Sequence, residues 1–144
     1  MPHKQWDAES VIAGIHGSYG TGDKQGLRNT RRLLECLEPG YNRPTIHVAG
    51  TNGKGSICAM LESILRHAGY RTGLYTSPFL QSYHERIRIG GVPLTDAQLS
   101  LYGGDVLETA EQLAEEGIHP TPFEHGTALA LHAFQRELVD VVVA

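Results

Sequence analysis

The densest chemistry in this sequence lies in seven consecutive residues, Gly50-Thr51-Asn52-Gly53-Lys54-Gly55-Ser56. Three glycines around one lysine, closed by a hydroxyl side chain, suit the binding of phosphate. Glycines let the backbone close around phosphate oxygens, and a helix N-terminus adds unpaired N–H donors and about half a positive charge. In such a loop Lys54 lies against the β- and γ-phosphates, and the Ser56 hydroxyl reaches a Mg²⁺ ion. The match to G-x-x-x-x-G-K-[ST] is imperfect, because Gly55 separates the lysine from the serine and no glycine heads the pattern. The plainer alternative is a glycine-rich turn with Lys54 in solvent. The position of the glycines, directly before the strongest helical pattern in the chain, favours phosphate.

Other residues carry weaker signals. Among the eight histidines, His125 and His132 are spaced to share a helix face. No H-E-x-x-H accompanies them and no third ligand falls at helical spacing, so both read as packed or surface residues. His47, on the run before the loop, reads as a packing or hydrogen-bonding residue. Cys58 follows the loop where a helix dipole lowers a thiol pKa, yet it reads first as a small packing residue. Arg86 and Arg88 alternate with Ile87 and Ile89, which predicts a solvated hairpin face. Tyr75 and Tyr83 flank Ser77 and are expected in the core, and Ser77 itself reads as a turn residue before Pro78.

These residues need elements to position them. Pro44–Ala49 is a short β-branched run that leads into the loop. Ile57, Met60, Leu61, Ile64, Leu65 and Ala68 then recur at helical spacing, with Gly69 placed as a C-terminal stop. Arg71–Thr76 is a second strand candidate, which completes a strand–loop–helix–strand unit. Upstream, Asp7 can cap a helix carrying Val11, Ile12 and Ile15 to about Gly17. A second helix carries Leu27, Leu33, Leu34 and Leu37 up to Pro39-Gly40. Downstream, Glu85–Leu94 reads as a hairpin about Gly90-Gly91, with Pro93 on an edge strand. Thr95-Asp96-Ala97-Gln98 opens a helix to about Glu116, and Glu124–Glu137 forms another. Leu138–Ala144 reads as a buried strand of a parallel sheet. Because the chain stops on that strand, the reading is a portion of a larger domain.

Composition narrows the function classes. The chain has 144 residues, with 16 acidic against 12 basic side chains and a net charge of −4. That balance offers no electrostatic footprint for nucleic acid. No apolar run approaches the ~18 residues of a membrane helix, and the N-terminus lacks a secretory h-region. Cys36 and Cys58 read as reduced cytoplasmic thiols. Seventeen glycines exceed the roughly ten that average usage predicts, and they punctuate periodic segments as an α/β fold requires.

Three blocks carry a family resemblance: H47-V-A-G-T-N-G-K-G-S56, L61-E-S-I-L-R-H-A-G-Y-R-T-G-L-Y-T-S-P78 and E85-R-I-R-I89. Together they resemble the folylpolyglutamate synthase/dihydrofolate synthase family, within the wider group of Mur-type amide ligases. The similarity runs from about Gly26 to Ala144, and the extra Gly55 favours the folate branch. The resemblance implies an α/β fold: the N-terminal portion of a P-loop-containing, Mur-ligase-like central ATPase domain, its mostly parallel sheet flanked by helices. Residues 1–43 would form an N-terminal helical segment with a substrate-side loop, and 44–144 the first part of the ATPase domain. The remainder and a C-terminal domain would lie outside the chain.

The implied activity is ATP-dependent joining of L-glutamate to a folate or dihydropteroate carboxylate through an acyl phosphate. By the same resemblance Asn52, Gly53, Lys54, Gly55 and Ser56 form the ATP loop, with Lys54 as its catalytic residue and Ser56 and Ser77 as Mg²⁺ ligands. Thr121-Pro122-Phe123-Glu124 corresponds to a pterin-contacting segment, and Gln25-Gly26-Leu27 to the start of a substrate-side loop. Glu124 is equally readable as a first-turn carboxylate favoured by the helix dipole. Two departures stand out: Phe79 replaces a histidine, and Arg28-Asn29 replace the usual Glu-Arg. A monomeric, cytoplasmic full-length enzyme is implied, with the 144 residues alone inactive. The competing readings are a Mur-type ligase acting on peptidoglycan precursors or cyanophycin, and a nucleotide-binding module without catalysis.

Overall fold

The computed structural model describes residues 5–18, 27–50, 52–76 and 82–144. In chain order the elements are α1 (Ala8–His16), α2 (Arg28–Leu37), β1 (Thr45–Ile46), α3 (Lys54–His67) and β2 (Thr72–Tyr75). A 3₁₀ turn (Tyr83–Arg86) follows, then β3 (Ile87–Ile89), β4 (Val92–Pro93), α4 (Asp96–Ala114), α5 (Pro122–Arg136) and β5 (Val141–Val143). The chain forms two compact units. One comprises the residues up to Tyr41 with Asp96–Ala133, and the other Asn42–Thr95 with Phe134–Ala144.

The first unit is helical. Asp7 caps α1 as the sequence predicts: its Oδ1 accepts from the Ser10 N–H at 2.7 Å, and Ser10 Oγ accepts from the Asp7 N–H. The buried side chains of α1, Val11 and Ile15, pack on α4. The two helices approach closely through glycines. A Cβ on Gly103 of α4 would stand 2.3 Å from Val11, and one on Gly14 of α1 would stand 2.9 Å from Leu107. Gly104 likewise makes room for the Trp6 ring, whose Nε1 donates to Glu108. Helix α5 opens with Pro122 at its first position, where the missing N–H costs nothing.

The second unit is a mixed five-stranded sheet of order β1-β5-β2-β3-β4. β1, β5 and β2 run parallel and form its core, while β3 and β4 add antiparallel to β2. The β3–β4 turn is Gly90-Gly91, both at positive φ (59° and 82°), as the strand-compatible two-residue turn demands. Pro93 lies on the edge strand, as read. Helix α3 covers one face, where Cys58, Leu61 and Leu65 pack with Leu74, Val143 and Val48. On the opposite face Phe134 lies on Gly73, where a Cβ would come within 2.6 Å of the ring.

Four local readings change. The buried face of α3 is Cys58, Leu61, Glu62 and Leu65 rather than the expected stripe, so Ile57, Met60 and Ile64 are exposed. The reason is Glu62, whose carboxylate is buried because it accepts from Thr72 Oγ1 and Arg66 Nε, both at 2.8 Å. Strand β5 begins at Val141, not Leu138: Leu138 takes φ +55° in a turn, and the Asp140 side chain accepts from the Arg71 N–H. Residues Glu85 and Arg86 form the end of the 3₁₀ turn instead of a strand, and Arg86 lies 5.0 Å from the Tyr83 ring centroid. His47 is exposed rather than packed.

Candidate functional site

The glycine loop leaves the carboxyl end of β1. There the Val48 N–H donates to the Ala144 carbonyl and the Ala144 N–H to Ile46, which extends the parallel pairing with β5. Thr76 leaves the carboxyl end of β2, which runs parallel to β1 with β5 between them. This edge is where open α/β sheets bind ligands. Ser77 itself lies outside the described residues, as does Thr51.

Loop and helix meet at Gly53, which caps α3 at φ +77°, a conformation that disfavours side chains bearing a Cβ. Gly50 also has positive φ, at +152°. No side chain caps α3. Its first backbone bond runs from the Ile57 N–H to the Gly53 carbonyl, and among the described residues no backbone acceptor takes the amides of Lys54, Gly55 and Ser56. Among the described residues, chain neighbours and the helix backbone apart, nothing lies within 4 Å of where a Cβ would stand at Gly50, Gly53 or Gly55. Asn52, Lys54 and Ser56 are exposed, and the first turn of α3 has no acid. Open donors, a lysine and the positive end of a helix can hold an anion. Cys58, one turn on, faces the core, and burial pushes its thiol up more strongly than the nearby Lys54 pulls it down.

The substrate-side candidates belong to the helical unit. Gln25 and Gly26 lie outside the described residues; Leu27, at the N-cap of α2, is exposed. Thr121 and Glu124 form a reciprocal capping box. The Thr121 N–H donates to Glu124 Oε1 at 2.9 Å, and the Glu124 N–H donates to Thr121 Oγ1 at 3.1 Å. The same carboxylate oxygen accepts from Asn29 Nδ2 at 3.1 Å. The start of α2 and the start of α5, 95 positions apart, are therefore brought together. Asn29 was legible only as a departure from the family pattern, because its partner is remote in sequence. Phe123, between these groups, exposes 60% of its surface.

Both singled-out histidines are buried and partnered. His125 Nδ1 lies 2.8 Å from the Thr121 carbonyl oxygen. His132 places Nδ1 2.9 Å from Glu38 Oε1 and Nε2 2.8 Å from Asp105 Oδ2, with Tyr102 edge-on to its ring. Among the described residues no group of three His, Cys, Asp or Glu could hold a metal ion.

No family model matches the chain. A dihydrofolate synthase/folylpolyglutamate synthase of Bacillus subtilis is 38% identical over 132 residues, covering 90% of this chain and 31% of that protein. The solved folylpolyglutamate synthetase of Lactobacillus casei superposes with a TM-score of 0.88 at 35% identity, over 96% of this chain and 35% of that one. The chain belongs to the folylpolyglutamate synthase/dihydrofolate synthase family. It spans about a third of the length of these relatives. A further synthase structure, a complex with AMPPCP and folate, matches with a TM-score of 0.89 at 35% identity, over 96% of this chain and 34% of that one. The fold is accordingly the Mur-ligase-like fold of these synthases. Among the described residues no helix is long and apolar enough to cross a membrane.

Proposed function

We propose that the chain supplies the nucleotide loop and a substrate-side segment of an ATP-dependent ligase that joins L-glutamate to a folate or dihydropteroate carboxylate. The observation that carries this reading is the glycine-capped start of α3, with Lys54 as its first residue and amides at 54–56 that no backbone acceptor takes among the described residues. These groups fit a polyphosphate: among the described residues no backbone acceptor takes the donors, the glycines leave space, and the first turn of α3 carries no acid. Asn52, Gly53, Lys54, Gly55 and Ser56 would cradle ATP, with the Lys54 ammonium countering charge on the transferred phosphoryl group.

The Ser56 hydroxyl, on the same turn, would hold Mg²⁺ together with Ser77. When bound, the ion supplies charge neutralisation at the phosphates. In the proposed reaction the substrate carboxylate oxygen attacks the γ-phosphorus, releasing ADP and leaving an acyl phosphate. The glutamate amine then adds to the acyl carbon, loses its proton and expels phosphate.

Leu27 and Phe123, exposed at the starts of α2 and α5, would offer apolar surface to the pterin, with Gln25, Gly26, Thr121 and Pro122 shaping that segment. In this reading Glu124 acts through the capping box and Asn29. A cytoplasmic setting keeps Cys36 and Cys58 as the free thiols observed. The test is ADP release by the full-length enzyme, measured with ATP, L-glutamate and either folate or dihydropteroate. Release that needs both glutamate and a pterin substrate, and that Lys54→Ala removes, supports the reading. Release with a muramyl substrate instead overturns it in favour of another Mur-type ligase, and nucleotide binding without any substrate-dependent release favours a non-catalytic module.

A further inference from the structure

The helical unit contains a cavity of about 390 Å³ that the nucleotide loop and the Asn29–Glu124 contact do not use. It lies among α1, α4 and the segment entering α5, lined by Gly14, Leu107, Ala110, Ala114, Ile118 and His125. This volume falls within the range of small-molecule sites. Its walls are mainly aliphatic, and Trp6 adds an aromatic ring at one side.

One polar group in it is unusual. His125 is only 3% exposed, and its Nδ1 faces the Thr121 carbonyl. A carbonyl oxygen only accepts, so Nδ1 carries the ring hydrogen. Burial pushes the imidazole below its ordinary range, which keeps it neutral near pH 7. Nε2 is then a lone-pair acceptor, and no protein group among the described residues donates to it. The Glu111 carboxylate, also at the cavity, disfavours an anionic occupant.

We infer that this cavity is a binding site for a small neutral aromatic molecule bearing a ring O–H or N–H. The donor would bond to His125 Nε2, and the ring would lie against Leu107, Ala110 and Ile118. Because His125 also holds the Thr121 carbonyl, the occupant would sit against the residues that fix the capping box at α5. The inference stands independently of the ligase reading.

Phenol serves as the probe and anisole, which has the ring but no donor, as its control. Trp6 is the sole tryptophan, so its indole N–H gives a single NMR resonance that reports on the cavity wall in the full chain. Phenol should shift that resonance saturably, and anisole should bind about three- to tenfold more weakly for want of one hydrogen bond. Ala114→Leu, which fills the cavity, should abolish saturation, and Ala110→Leu provides a second filling variant if the first does not fold. A shift that grows linearly with phenol, equal affinity for anisole, or saturation that survives in a folded filling variant would overturn the assignment.

Discussion

At the scale of single residues, the two glycines at the start of α3 separate conformation from ligand contact. Gly53 holds φ +77° with nothing near its missing Cβ, so Gly53→Ala meets only backbone strain, about 1 kcal/mol of lost stability in urea unfolding. Gly55 is inside the helix in ordinary conformation and also faces open space. Gly55→Ala should therefore raise stability by about 0.5–1 kcal/mol while lowering nucleotide affinity, because a methyl group stands where a phosphate approaches. A variant that gains stability and keeps its affinity would remove Gly55 from the phosphate cradle. The loop was legible from sequence because its signal is local: residue types, spacing and a helical pattern directly behind it. Asn29 was not, since its meaning depends on Glu124 across 95 positions.

At the scale of elements, buried polar groups decide orientations that hydrophobic periodicity misses. Counting apolar residues turns α3 toward Ile57, Met60 and Ile64, whereas the Thr72–Glu62–Arg66 bonds turn it toward Cys58 and Glu62. Glu62→Ala strands the fully buried Thr72 hydroxyl without an acceptor and should cost about 1–3 kcal/mol, measured by thermal unfolding; a neutral outcome would deny that orienting role. In the helical unit His132 ties Glu38, at the end of α2, to Asp105 on α4. Leu138 shows the opposite failure, an apolar residue read into a strand but needed as the turn before it.

The 3₁₀ turn gives a pH prediction. Burial, aided by Tyr75, pushes the Tyr83 phenol up to about 12 from an ordinary value of 10. The unfolded chain thus loses this proton first, so Tyr83 contributes no pH dependence well below 10 and stability falls as pH rises from about 10 to about 12. The full effect is about 2–3 kcal/mol, and Tyr83→Phe should remove it from the alkaline unfolding curve. An unchanged alkaline slope in that variant would place the effect elsewhere.

At the scale of the molecule, element types and a parallel core follow from the strand–loop–helix–strand pattern and the last apolar run, but the place of β5 between β1 and β2 does not. The grouping of α4 and most of α5 with α1 and α2 does not. It rests on close approach at Gly14 and Gly103, where small residues carry no hydrophobic signal of their own. The parallel core has a consequence for function: it sets the carboxyl ends of β1 and β2 at one end of the sheet, where the glycine-capped start of α3 also lies.

In the proposed function this start of α3 binds nucleotide through Lys54. Calorimetric titration of the chain with MgATP tests it most directly, comparing wild type with Lys54→Ala at equal folded fraction. Saturable one-to-one binding that weakens about ten- to a hundredfold in the variant, the worth of one charge-assisted contact, is the predicted result. Equal affinity in the two proteins would contradict it.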